Sequence, residues 1–222
     1  MPDEQRKQRA AKVFQRLRKE YPDARTLLDH RNAWELLMAT ILAAQCTDAA
    51  VNVVTKVLFK EFTRAKTLAN ARPAEIETIV KATGFFRQKT RSIIGASAAI
   101  MERFAGKVPG TMEELTSLPG VGRKTANVVL GEYFKSGGII VDTHVKRVSG
   151  RIGLTRQTDP EKIEADLSEL ISPKDRTIFS HTIGFHGRRV CVAPKPKCPE
   201  CVITELCDYY RNVQSKKAGS AK

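Results

Sequence analysis

Apolar residues recur at helical spacing along nearly the whole chain, and cap signals cut that periodicity into separate helices. Val13, Phe14 and Leu17 make one face of a first helix, which stops before Pro22. Asn32 with Glu35 reads as a capping box ahead of Trp34, Leu37, Met38, Ile41 and Leu42. Thr47 or Asp48 caps the next helix, and Pro73 suits the first turn of another that ends near Gly84. A long helix is expected from about Arg87 to Phe104, with Gly106 past its end. Thr111 with Glu114 forms a second capping box, opening a short helix that reaches Leu118. Asp159-Pro160 and Ser172-Pro173 each read as an N-cap followed by proline at the first helical position. No run of alternating strands and no strand-joining turn is found, so the fold class is all-α.

A chain of 222 residues suits one large domain or two small ones. Its 38 Lys and Arg against 24 Asp and Glu give a net charge of +14. That excess points to a polyanionic partner, nucleic acid before others, and less to a merely solubilising surface. No apolar run approaches the roughly 20 residues of a membrane span. The opening "MPDEQRKQRA" lacks the apolar stretch of a secretory signal. The expected location is the cytoplasm, on the nucleoid in a prokaryote, where five cysteines serve as thiols or metal ligands and not as disulfides. The last residues, 212–222, are basic and small and are expected to lack structure.

Residues 118–126, "LPGVGRKTA", join two helices through a turn. Pro119 cannot continue the first helix, and Gly120 and Gly122 can take positive φ while leaving backbone N–H groups uncovered. The second helix starts near Arg123 with its own unpaired N–H groups and the positive end of its dipole. Such a surface suits one phosphate, held without reading any base. Lys124 follows, on the first turn, where the dipole disfavours an ammonium. A neutral amine there is a nucleophile able to form a Schiff base, although most lysines are solvated surface cations. Asp142, eighteen residues on in "VDTHVKR", caps the helix beginning at Thr143. A capping carboxylate is rigid and ionised. It is suited to stabilising positive charge on a sugar or to taking a proton from Lys124. His144 is placed to tune it.

Cys191, Cys198, Cys201 and Cys207 have the spacing C-x6-C-x2-C-x5-C. Four thiolates within seventeen residues can close round one metal centre, a cuboidal iron-sulfur cluster or zinc. The spacing departs from the common ferredoxin run and leaves the choice open. Lys195 and Lys197 lie in the six-residue loop, flanked by Pro194 and Pro196, with Arg188 and Arg189 just before it, and read as a second phosphate contact. Cys46 stands apart and reads as a small buried residue.

"LPGVGRKTANVVL" resembles the helix-hairpin-helix motif of DNA glycosylases, "VDTHVKR" resembles the segment carrying their catalytic aspartate, and with the cysteine array the match is to the endonuclease III family. The resemblance covers residues 10 to 210. It implies a two-lobed helix-hairpin-helix fold, with residues 27–137 as a helical barrel holding the hairpin (about 112–134) and residues 1–26 with 138–211 as a lobe carrying one four-iron four-sulfur cluster. It implies a monomeric bifunctional DNA glycosylase and AP lyase acting on oxidised pyrimidines or abasic sites in duplex DNA, lying across the cleft between the lobes. Lys124 takes the position of the family's nucleophile and Asp142 that of its aspartate. Gln45 and Phe85 take the gap-filling and wedge positions. An adenine- or mismatch-removing relative, and a non-catalytic helix-hairpin-helix DNA-binding protein, are the rival readings.

Overall fold

The computed structural model describes residues 3–219, with the side chains of 3, 214 and 216–219 left aside. Among the described residues there are twelve α-helices and no strand. They are α1 (Asp3–Glu20), α2 (Ala33–Leu42), α3 (Asp48–Glu61), α4 (Ala65–Ala69), α5 (Pro73–Val80), α6 (Phe86–Arg103), α7 (Met112–Thr116), α8 (Arg123–Val129), α9 (Thr143–Ile152), α10 (Pro160–Leu170), α11 (Arg176–Arg189) and α12 (Asp208–Gly219). The chain divides into two units, Leu27–Lys135 and Met1–Thr26 with Ser136–Lys222.

In the first of these units α2 lies at the centre. Every residue from Trp34 to Leu42 is buried, as expected of a helix apolar on all faces. Asn32 Oδ1 accepts from the Glu35 backbone N–H. The return arm of the capping box goes elsewhere: Glu35 accepts from the Arg31 backbone N–H and guanidinium, at 2.7 and 2.6 Å. The buried carboxylate is thereby paired with a cation. Thr47 caps α3 and Thr111 caps α7, each accepting from the backbone N–H three residues on. The short helix α7 ends at Thr116, with Ser117 as its C-cap, so it stops before Leu118.

The other unit is built on α1, α9 and α11. Val13 and Leu17 of α1, Val145, Val148 and Ile152 of α9, and Phe179 and Ile183 of α11 share one core. Phe14 meets Phe179 edge to face, with ring centroids 5.7 Å apart. Asp159 caps α10 through the N–H groups of Glu161 and Lys162. Ser172 does not cap: Pro173–Asp175 form a 3-10 turn before α11, and the Ser172 side chain makes no cap bond. The basic tail also departs from its composition, since α12 carries helical backbone through residues 212–219. Residues 220–222 of that tail lie outside the described residues.

Candidate active site and cysteine cavity

The hairpin between α7 and α8 is fixed by close packing in its own unit. Gly120 has φ +76°, and a Cβ there would lie 2.5 Å from Cβ of Ser92 on α6, so two separate constraints demand glycine. Gly95, on the same face of α6, makes room for Pro119, whose ring would lie 3.2 Å from an added Cβ. Leu115, Leu118 and Val121 are buried beneath the turn. Gly122 differs from the expectation of positive φ. It is an extended N-cap at φ −99°, with open space where a side chain would go. Its contribution is that no side-chain oxygen covers the first N–H groups of α8. Arg123 and Lys124 are exposed on that first turn. No hydrogen bond or ion pair within this unit engages Lys124 among the described residues.

Four non-glycine residues of this unit lie in left-handed backbone, Gln45, Phe85, Ala105 and Lys135, and two of them sit at turns expected to meet DNA. Gln45, between α2 and α3, has φ +54°, and Phe85, at the N-cap of α6, has φ +46°. For side chains with a Cβ this conformation costs roughly 1–2 kcal/mol. Gln45 is exposed and Phe85 is 68% exposed, so the phenyl ring projects and takes no part in the core. Cys46, expected to be buried, is only partly so.

Asp142 belongs to the other unit, where it caps α9. Its Oδ1 accepts from the Val145 backbone N–H at 2.7 Å, and its Oδ2 lies 3.9 Å from the Arg188 guanidinium of α11. His144 is packed where Gly187 lacks a side chain, since a Cβ at Gly187 would come within 2.8 Å of His144. Arg147 bridges His144 Nδ1 and the Gly187 carbonyl, at 3.1 and 2.9 Å. Burial pushes the His144 imidazole below its usual range, with Asp142 opposing that shift. His144 is thus a neutral ring at physiological pH beside a rigid carboxylate.

Cys191, Cys198, Cys201 and Cys207 line one cavity together with His186, Val190, Ile203 and Tyr210. Burial, together with the other three thiols, pushes Cys201 up to about 11, against hydrogen bonding from Ile203. Among the described residues no three His, Cys, Asp or Glu gather tightly enough for a single ion. A four-cysteine donor set that shares one cavity without closing on a single ion fits a polynuclear cluster better than zinc. Cations already surround it: Arg151 donates to Cys191 Sγ at 3.4 Å and to the Val192 carbonyl at 2.9 Å, and Arg147 donates to the Cys191 carbonyl. Lys195 and Lys197 are exposed on the loop, but Lys197 is paired with Glu200 at 3.6 Å. The Arg189 side chain is half exposed. It stacks on Phe185 at 4.7 Å and on Tyr21 at 5.5 Å.

A family model described as "HhH-GPD superfamily base excision DNA repair protein" matches residues 38–173, which include the hairpin and Asp142. Endonuclease III of Synechocystis sp. is 52% identical over 203 residues, spanning 91% of this chain and 93% of its own. This chain belongs to the endonuclease III family. A solved non-covalent endonuclease III–DNA complex matches with a TM-score of 0.89 at 40% identity, over 94% of this chain and 98% of that one. A trapped endonuclease III–DNA covalent intermediate gives a TM-score of 0.88 at the same identity and coverage. The all-α fold and the activity class follow: this endonuclease III relative is a base excision repair DNA glycosylase and AP lyase.

The sequence reading of this endonuclease III chain missed two sets of residues. Arg147 and Arg151 follow His144 at helical spacing on α9, which placed them on one face, yet nothing local signalled cysteine carbonyls as their partners. Lys89 is only 4% exposed, and its Nζ donates to the Thr83 carbonyl at 2.7 Å. Its signal was spacing: residues 89, 93, 96 and 100 form one stripe, and the other three are Ile93, Ala96 and Ile100.

Proposed function

We propose that this chain excises oxidised pyrimidines from duplex DNA and then cleaves the abasic strand, using Lys124 as nucleophile and the Asp142 carboxylate to stabilise charge on the sugar. The target nucleotide leaves the stack, because its C1′ is out of reach inside the duplex. Gln45 fills the space left behind and Phe85 wedges the kink, both on turns that project from their unit. The hairpin glycines and Arg123 grip a backbone phosphate at the start of α8.

The Lys124 amine attacks C1′ as the glycosidic bond breaks, and the base departs with the bonding pair and takes up the proton that the amine sheds. The Asp142 carboxylate stabilises the positive charge that builds on the sugar. Opening of the sugar ring gives the lysine Schiff base. Loss of a C2′ proton then expels the 3′ phosphate, and water frees the amine. The trapped covalent complex of the solved relative supports this order. Cys191, Cys198, Cys201 and Cys207 would hold a four-iron four-sulfur cluster, which supplies a staple for the Lys195–Lys197 loop and no reacting atom. The protein acts as a monomer in the cytoplasm. No described helix is long and apolar enough to cross a membrane.

The observation that carries this reading is Lys124: an exposed amine without a partner in its unit, on the first turn of a helix whose N–H groups are left uncovered. A single-turnover panel of duplexes tests it, containing oxidised pyrimidines, oxidised purines, mismatches or an abasic site. Cleavage of the oxidised pyrimidine and abasic duplexes is expected. Binding without cleavage of any of them contradicts the proposal.

A further inference from the structure

Lys89 is an unusual residue to find inside this unit. An ammonium withdrawn from water costs several kcal/mol unless it is paired. No carboxylate pairs with it among the described residues; its Nζ makes one hydrogen bond, to the Thr83 carbonyl at 2.7 Å. Burial pushes the lysine below its usual range, and Cys46, on the turn that carries Gln45, opposes that shift. A buried cation so sparsely compensated is weak as a stabilising device, because a hydrophobic side chain of similar length serves a core equally well.

The geometry of the neighbouring turn accounts for it. Gly84 has φ +69° and ψ 160°, a conformation open only to glycine, and Phe85 follows in left-handed backbone. Lys89 brackets these two residues. Its backbone N–H donates to the Phe85 carbonyl at 3.0 Å, and its Nζ donates to the carbonyl of Thr83, immediately before Gly84. Thr83 is itself 2% exposed, with its hydroxyl on the Val80 carbonyl at 2.8 Å. Phe85 makes no side-chain cap bond to α6, and its ring is left in the open. The strained pair is therefore fixed from both sides by one residue.

We propose that Lys89 is a positioning residue: its ammonium, anchored on the Thr83 carbonyl, holds Gly84-Phe85 in the conformation that projects the phenyl ring toward DNA. This rests on the reading of Phe85 as the wedge. Preset projection means the wedge is ordered before DNA arrives, and the ordering entropy is not lost at the moment of binding.

A double-mutant cycle tests this, read by single-turnover excision and by the fluorescence of 2-aminopurine placed opposite the lesion, which reports unstacking. Lys89→Met is expected to keep the fold and the affinity for undamaged duplex. It should lower excision about tenfold and reduce the fluorescence rise. In a Phe85→Ala background, Lys89→Met should do nothing further, because the group it positions is gone. Lys89→Arg should recover part of the loss. Should Lys89→Met fail to fold, Gly84→Ala carries the same test, since a Cβ there meets open space and perturbs only the backbone. A Lys89→Met (or Gly84→Ala) loss of equal size with and without Phe85 overturns the proposal. Unchanged excision by these variants alongside a defective Phe85→Ala overturns it while leaving the wedge intact. Wild-type excision by Phe85→Ala removes both the wedge and the proposal.

Discussion

The hairpin and the cysteine loop are the two phosphate contacts proposed for this chain, and they are supported in opposite ways. The hairpin stands on its core. Leu115, Leu118 and Val121 are buried, Pro119 seats against Gly95, and Gly120 leaves no space for a Cβ beside Ser92. The loop from Cys191 to Cys207 has one buried side chain, Ile203. It is held by guanidinium-to-carbonyl bonds from Arg147, Arg151 and Arg16 and by four thiols round a common cavity. Ordinary packing thus fixes the hairpin turn by itself, whereas the loop has little core of its own and is the part that a bound cluster would have to staple.

Separating chemistry from binding probes the difference most sharply. Lys124→Gln keeps length and polarity but has no nucleophilic nitrogen. Strand cleavage should fall at least about 10³-fold, with duplex affinity retained, in a single-turnover assay beside a gel-shift titration. Next in size is Asp142→Asn. It preserves the acceptor for the Val145 N–H, so α9 should stay capped. Base excision should drop about 10²-fold, and cleavage of a pre-formed abasic site less, because an abasic aldehyde has no base to expel. Equal losses on both substrates would assign Asp142 to the lyase steps.

The contrast in support predicts two failures of different kind. Gly120→Ala forces a Cβ into left-handed backbone and against Ser92. It should cost about 2–3 kcal/mol in denaturant unfolding without touching the metal content. Cys198→Ser should lose iron and sulfide and open residues 190–207 to protease while the hairpin stays protected. A protease-resistant loop in protein without iron or sulfide would show that it stands without its cluster. The smallest effects belong to the loop lysines: Lys195→Ala should lower the salt slope of log K by about 0.9 and weaken damaged and undamaged duplexes alike. Lys197→Ala should do less, since Glu200 already engages that ammonium.

Much of this was legible in sequence because caps are local. Asn32, Thr47, Thr111, Asp142 and Asp159 each accept from a backbone N–H two or three residues on, and spacing alone reveals that. Ser172 misled because proline at the next position suits a 3-10 turn as well as a helix. Gly122 misled because two glycines in one turn need not serve the same purpose. Gly120 supplies positive φ, and Gly122 supplies an uncovered helix start. The length of α12 ran against a composition rule that takes no account of helix propagation. Partners distant in sequence, such as Arg188 for Asp142 or Cys191 for Arg147, depend on packing, and helical spacing hinted at them only as faces.

The central claim is that the amine of Lys124 bonds to the sugar. Borohydride reduction during turnover of a lesion-containing duplex, followed by digestion and mass spectrometry of the DNA-linked peptide, tests it directly. The predicted result is one adduct, on Lys124, that is absent from Lys124→Gln. An adduct on any other residue, or undiminished trapping by Lys124→Gln, contradicts the claim and returns Lys124 to a phosphate contact.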